Sequence, residues 1–208
     1  MRIRIKFHKT EAMRFTGHLD LHQTWERVFR RAVLPLAYSQ GFHPQPRINL
    51  ACALPLGFTS ECEVLDVWIE KDMALTDVEA AIQPALPPGL RLGGLEEVDI
   101  RLPALQTQVE SSEFVVTFLD QLPDLSERIA ALLAAEHLPR QRSGKDYDLR
   151  VLVEAVHELP ADDEGLRRYQ IRLASRPGAT GRPEEFVSAL GLDPFSVRVH
   201  RVQLHFAA

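Results

Sequence analysis

The chain has 208 residues, of which 45% are hydrophobic and 25% are charged. This composition is ordinary for a globular protein and excludes a wholly disordered chain, while the length suits one large domain or two small ones. The sequence contains neither an apolar signal-peptide core near residue 1 nor a stretch that would span a bilayer, so we expect a cytoplasmic protein that does not bind membranes.

The cysteines and the charge limit the chemistry further. Cys52 and Cys62 do not form a C-x-x-C pair, which excludes a disulfide framework and a four-thiolate metal site and predicts buried, reduced thiols. The net charge of −5 argues against indiscriminate nucleic-acid binding. Residues 1–50, however, hold nine Lys/Arg against three Asp/Glu. This local excess predicts an anionic partner for the N-terminal part of the chain.

The first half of the chain predicts the element order β-α-β-β-α-β. Residues 2–7 alternate between apolar and basic side chains, as a half-buried strand does. Residues 16–32 have apolar positions at helical spacing and are followed by Pro35, which ends the helix. Residues 38–47 contain a glycine and two prolines and predict an ordered, irregular loop. Strands at 48–53, 62–69 and 90–100 and a helix at 75–86 complete this half.

The second half repeats the order after a linker at residues 101–111. We expect strands at 114–118, 150–157, 169–174 and 197–206 and helices at 125–135 and 184–190. The sequence therefore predicts an α+β protein of two tandem ferredoxin-like halves with antiparallel sheets, at residues 1–104 and 112–208. The predicted core residues are Ile3, Ile5, Trp25, Phe29, Val64 and Val67 in the first half, and Phe114, Val116, Leu132, Val151, Val153, Ile171 and Val199 in the second.

The densest candidate for chemistry lies between Arg14 and His22. His18 and His22 are one helical turn apart and Asp20 lies between them in the sequence, so metal ligation, acid–base catalysis and phosphate binding are all open. The alternative is an ordinary helix start whose polar groups are solvated. A histidine pair without a third ligand nearby is a weak metal signal, and we predict neither a metal nor a cofactor.

Three arginines and a loop extend this candidate surface. Arg27, Arg30 and Arg31 suit bidentate contacts to phosphate, although arginines on a helix are often only its solvated face. In the loop, Gly41 and the two prolines would present Phe42 outward for stacking on a base; the alternative is that Phe42 plugs the core. Residues 140–145 form a basic turn that would extend the surface. The predicted anion- or nucleic-acid-binding residues are Arg14, His18, Arg27, Arg30, Arg31, Ser39, Gln40, Phe42, His43 and Arg47.

Three stretches carry a resemblance to a known family: GHLDL at residues 17–21, RRAVLPLAYSQGFHPQPRI at residues 30–48 and ALPLGFTSE at residues 53–61. They closely resemble the uncharacterised radical-SAM-linked family, whose members occur fused to, or encoded beside, cobalamin-binding radical SAM proteins. The resemblance implies a radical SAM partner for this chain. Since the chain has only two cysteines, the three-cysteine cluster of a radical SAM enzyme would belong to that partner.

Together these observations favour an accessory binding module that holds an RNA, with tRNA as one candidate, for a radical SAM enzyme. No phosphate loop, nucleophile elbow or zinc helix is present in the sequence, which argues against a standard cofactor enzyme. Two alternatives stay open. One is an enzyme that acts on RNA or a nucleotide through His18, Asp20, His22 or His43, and the other is a subunit that only docks to a protein.

Overall fold

A computed structural model describes residues 1–207. The chain divides into two compact units, one of Met1–Val109 with Ala207 and one of Glu110–Phe206. Residues 1–207 contain eleven strands and four α-helices, so the prediction of a mixed α+β protein is confirmed. Within these residues no helix is long and apolar enough to cross a lipid bilayer.

The first unit contains a four-stranded sheet and two helices. Its strands lie in the order β4, β1, β3, β2, and each neighbouring pair is antiparallel. The predicted element order is present, with β2 shorter than expected and α2 followed by a 3-10 turn. The elements are β1 (Arg2–Lys9), α1 (His18–Arg31), β2 (Ile48–Leu50), β3 (Thr59–Trp68), α2 (Leu75–Ile82) and β4 (Leu90–Val98).

The two faces of this sheet are chemically different because side chains alternate along each strand. On one face, Ile3, Ile5 and Phe7 are fully buried and join the core with α1 and α2. The Phe7 ring lies 4.9 Å from the ring of Trp25 on α1. The opposite face carries the basic residues of β1. The sheet therefore separates an apolar core under the helices from a polar face.

A buried ion cluster occupies the polar face. Asp66 on β3 is fully buried, and its carboxylate accepts hydrogen bonds from Arg2 (Nε 2.9 Å, Nη2 2.5 Å) and from Arg4 (Nε 2.9 Å, Nη2 3.1 Å). Arg2 is also buried, and it donates to the carbonyl oxygens of Leu102 and Pro103 at 2.6 and 2.9 Å. The cluster thereby joins β1, β3 and the chain that follows β4.

The second unit is also built on an antiparallel sheet. Strand β9 pairs with β5, β8 and β10, and β11 lies beside β5. Its elements are β5 (Val109–Phe118), α3 (Leu125–Ala134), β6 (Pro139–Arg142), β7 (Lys145–Asp148), β8 (Val153–Leu159), β9 (Arg168–Arg176), β10 (Ala179–Thr180), α4 (Pro183–Ala189) and β11 (Val197–Phe206).

A hairpin of β6 and β7 contains the predicted basic turn at residues 140–145. Its two-residue turn consists of Ser143 at φ 50° and Gly144 at φ 77°. Two successive residues in the left-handed region match the twist of the flanking strands, which is why such turns close tight hairpins. The Ser-Gly pair is therefore a hairpin signal, and the flanking strands are what the prediction of a turn alone lacked.

One predicted core residue is wrong. Val151 is 66% exposed because residues 150–152 form a 3-10 turn instead of the start of a strand. Asp148 fixes this turn by accepting the backbone N–H groups of Leu138 and Arg150. The Leu138 N–H and then the His137 ring lower the pKa of Asp148 to about 2. The other twelve predicted core residues are buried.

The two cysteines are free thiols. Both are half-buried rather than fully buried as predicted. Cys62 lies on β3, whereas Cys52 lies in the turn after β2. Their separate positions agree with the sequence argument against a paired-cysteine motif.

Replacing Asp66 with Asn should lower the free energy of unfolding by about 3 kcal/mol or more, because it leaves the buried Arg2 guanidinium without its counter-charge. Urea unfolding followed by circular dichroism measures the change. The control is Asp99→Asn, which removes an exposed ion pair with Arg101 and should have little effect. Equal stability of the Asp66 variant and the wild type would contradict a structural role for the cluster.

Candidate functional site

The outer face of α1 carries three exposed arginines near the helix end. Arg30 and Arg31 follow Arg27 by three and four residues, so each of them lies next to Arg27 on the helix surface. Within residues 1–207, none of the three forms a salt bridge or a side-chain hydrogen bond. Their guanidinium groups are consequently available to an external anion.

The end of α1 adopts a strained conformation at Val33. The Leu34 N–H donates to the Phe29 carbonyl and the Val33 N–H to the Arg30 carbonyl, which is the Schellman pattern of helix ends. The residue at this position usually has a positive φ and is usually glycine. Here it is a β-branched valine at φ 56°, with 85% of its surface exposed. The helix ends at Arg31, and the left-handed valine that closes its last turn carries an energetic cost.

The loop at residues 38–47 is closed at its base and exposed at its tip. The Ser39 N–H donates to the Gln45 carbonyl at 2.8 Å, and the Gln45 N–H donates to Ser39 Oγ at 3.0 Å. Gly41 has a φ of 135°, which side-chain-bearing residues rarely adopt. Phe42 has a relative exposure of 103%, so the alternative that it plugs the core is wrong. Gln40 and His43 are exposed beside it.

Arg47 does not share the arginine face of α1. Its guanidinium lies over the Trp68 ring, 4.6 Å from the ring centroid. Trp68 follows Val67 on β3, so it points to the polar face of the sheet, whereas α1 packs on the other face through Trp25. The expectation that Arg47 converges with the three arginines of α1 is therefore wrong, since the sheet lies between them.

The histidines at the start of α1 have structural contacts. The Nδ1 atom of His22 lies 3.1 Å from Glu26 Oε1, and its Nε2 atom lies 3.3 Å from the Ile48 carbonyl oxygen. His22 thereby joins α1 to β2. His18 is half-buried at the first residue of the helix, and Asp20 is exposed. No group of three His, Cys, Asp or Glu in residues 1–207 is placed to hold a metal ion.

Some of the Lys and Arg residues that give residues 1–50 their basic excess form contacts within the protein. Arg2 and Arg4 pair with Asp66, as described above, and Lys9 is fully buried, with Nζ 2.9 Å from the Phe58 carbonyl oxygen. Arg14 donates through Nε to the Gly57 carbonyl at 2.8 Å and through Nη1 to a carboxylate oxygen of Glu11. These four cations stabilise the fold, so the anion-binding candidates reduce to Arg27, Arg30, Arg31 and Arg47, with Lys6 beside Glu96.

Sequence reasoning missed Trp68. This side chain flanks Arg47 and is only 6% exposed, although it lies on the polar face of the sheet. The available signal was the alternation along β3, which places Trp68 on the face opposite Val67 and Leu65. The pairing of Arg47 with this ring depends on the register of β2 on β3, which the sequence does not specify.

A family model matches residues 2–179 of the chain. The chain belongs to the DUF2344 family, described as uncharacterized proteins conserved in bacteria. The comparison with curated proteins gives no match.

Two solved structures have a similar fold. A Cbf5-Nop10-Gar1 complex has a TM-score of 0.50 and 10% identity, and an H/ACA RNP bound to a substrate RNA containing 2'-deoxyuridine has a TM-score of 0.50 and 8% identity. Both alignments cover 97% of this chain but only 48% and 47% of the other chain. The chain therefore spans about half the length of these structures, and the likeness concerns the fold.

Replacing Val33 with Gly should raise the free energy of unfolding by about 1 kcal/mol, because glycine adopts the left-handed conformation without a Cβ clash. Helix α4 supplies a matched control, since it ends in the same hydrogen-bond pattern with Gly191 at φ 74°. Gly191→Val should therefore be destabilising. Thermal unfolding of both variants measures the changes, and a destabilised Val33→Gly protein would contradict the strain argument.

Proposed function

We propose that the chain is an RNA-binding module whose first unit holds RNA through the arginines of α1 and the Phe42 loop. The observation that carries the proposal is that arginines unpaired in the described chain and an exposed aromatic ring occur in successive segments. Three arginines without carboxylate partners within residues 1–207 lie on one helix, and a fully exposed phenylalanine lies at the tip of the loop that follows it. A bound ligand would pair with the arginines and remove the exposed ring from water.

The chemistry of these groups fits RNA better than other anions. Guanidinium groups form paired hydrogen bonds with phosphate oxygens, and several of them along a helix match a repeating backbone charge. An exposed aromatic ring adds stacking on an unpaired base, which is how proteins commonly hold single-stranded RNA. One of the structures with a similar fold is an RNP bound to a substrate RNA, which points in the same direction for this chain.

The finer proposal concerns the fold of each unit. In both units the strands follow the spatial order of a split β-α-β fold, with β4, β1, β3, β2 in the first and β11, β5, β9, β8 in the second. We propose that the units are two ferredoxin-like halves, the second enlarged by the β6–β7 hairpin and β10. In this fold both helices pack on one face of the sheet, so the other face of each sheet is not covered by them.

The partner proposal depends on the sequence resemblance. The stretches at residues 17–21, 30–48 and 53–61 resemble the radical-SAM-linked family, and two of them supply α1 and the exposed loop. We propose that the module holds an RNA, with tRNA as one candidate, for modification by a radical SAM enzyme. The two half-buried thiols of this chain do not make a three-cysteine cluster, so the iron–sulfur chemistry would lie on the partner.

Replacing Arg30 and Arg31 with Gln should weaken binding of unfractionated bacterial tRNA and reduce its salt dependence. Each lost phosphate contact should lower the slope of log K against log salt by about 0.7–0.9. Fluorescence anisotropy at several salt concentrations measures both quantities. The matched control, Lys71→Gln with Arg91→Gln, removes the same charge from other exposed positions of the first unit. Equal effects of the two double variants would show that RNA binding depends on total charge, and would contradict a specific role for the arginines of α1.

Replacing Phe42 with Ser should weaken binding of a short single-stranded RNA by about 1–3 kcal/mol if a base stacks on the ring. The salt slope should not change, because no charge is lost. Phe195, which is 91% exposed in the second unit, supplies the control Phe195→Ser. Intact folding is expected for both variants. RNA binding unaffected by Phe42→Ser and by the arginine variant would instead favour a surface that docks to protein.

A further inference from the structure

A cavity of about 390 Å³ lies on the polar face of the first sheet. Its floor contains residues of β1, β2 and β3, one wall is the base of the loop at residues 38–47, and the other wall is the chain after β4. A volume of this size is typical of sites for small organic molecules. The lining residues that carry the inference are Arg47, Asn49, Trp68, Gln45, Ile100 and Leu102.

Trp68 lies between Arg2 of β1 and Arg47, the residue just before β2. In the β1–β3 register Trp68 lies opposite Arg2. Toward β2, the backbone N–H of Trp68 donates to the Arg47 carbonyl. The two guanidinium carbons lie 4.8 and 4.6 Å from the Trp68 ring centroid. Cation–π contacts of this kind orient a guanidinium group and restrict its motion. Both arginines are therefore held in place before any ligand arrives.

The two arginines differ in what their N–H groups contact. Arg2 is fully buried and uses its donors on Asp66 and on the carbonyls of Leu102 and Pro103. Arg47 is exposed, and within residues 1–207 its guanidinium has neither a carboxylate partner nor a hydrogen bond. Arg47 is thus the member of the pair whose donors are open to a ligand.

The remaining lining specifies more than an anion. Asn49 and Gln45 each offer a side-chain amide, which both donates and accepts hydrogen bonds, as the edge of a nucleobase requires. Ile100 and Leu102 supply an apolar wall for a flat ring. A bare phosphate would use Arg47 and leave this wall in contact with water, whereas a nucleotide would use both kinds of surface.

We propose that this cavity binds one nucleotide, with its phosphate on Arg47 and its base between the amides and the apolar wall. The proposal rests on the RNA-binding function for the source of that nucleotide, which would be one unit of the bound strand. A free mononucleotide has the same chemistry. The Phe42 tip belongs to the loop whose base lines the cavity, so a strand leaving the cavity along this loop would meet the exposed ring.

The tryptophans of the chain provide a direct test. Only Trp25 and Trp68 are present, and Trp25 is fully buried in the core, away from the cavity lining. Adding AMP, GMP, CMP, UMP or a short single-stranded RNA to the full chain should change the tryptophan emission in a saturable manner. Trp68→Phe should abolish this response. Arg47→Gln should weaken the apparent affinity about tenfold or more, since a charge-assisted contact is lost.

Controls separate the possible outcomes. Asn49→Ala should change the preference among the four mononucleotides, and Arg91→Gln, an exposed cation on β4, should leave the response unchanged. Inorganic phosphate alone should not reproduce the response; if it does so fully, the cavity is an anion site and the proposal fails. A response to RNA that mononucleotides do not match indicates a unit of the strand, and the reverse indicates a free nucleotide.

The same titrations distinguish this proposal from the RNA-binding function. RNA binding in anisotropy without any Trp68 response would overturn the nucleotide cavity and leave the α1 surface intact. Mononucleotide binding that depends on Arg47, in a protein that does not bind RNA, would support the cavity and overturn the RNA-binding function. Unchanged emission with every nucleotide and RNA, confirmed by calorimetry, would overturn the cavity proposal for both sources.

Discussion

The burial of the Asp66 carboxylate is the constraint on which the first unit depends. A buried carboxylate must be paired, and here it accepts four hydrogen bonds from Arg2 and Arg4. The position paired with it on β2 is Asn49, so no second acid competes for these arginines. The hydrogen bonds from Arg2 and Arg4 occupy the Asp66 carboxylate. Arg47, which lies at the β2 flank of β3, therefore contacts the Trp68 ring and has no counter-charge among the described residues.

The second unit solves the same problem with different residues. Glu113 on β5 is buried, and it accepts hydrogen bonds from Arg172, Gln170 and His205 on neighbouring strands. Burial alone would raise the pKa of Glu113, but the hydrogen bonds from Arg172, Gln170 and His205 outweigh it and lower that pKa. Each unit therefore combines an apolar sheet face with a polar face organised around a buried carboxylate. The units differ in the side chains that pair with this carboxylate.

The sequence predicted what depends on local pattern. Alternation at Ile3, Ile5 and Phe7 and the spacing along α1 specify which side chains are buried, because each element's period is a property of a few consecutive residues. Counting charge was less successful, since the burial of Arg2 depends on a carboxylate 64 residues away. The exposed loop was predictable from Gly41 and its prolines. The cavity was not, because strand register and the path of residues 100–104 bring its walls together.

The contacts of Arg2 also impose an order on folding. Its guanidinium needs Asp66, 64 residues later, and the carbonyls of Leu102 and Pro103, 100 and 101 residues later. Until those partners have left the ribosome, closing β1 against β3 would bury a cation that lacks part of its hydrogen bonding. Contacts this distant in the chain also slow folding, since long loops must close first. Strand β1 is thus completed only by the last segment of its unit.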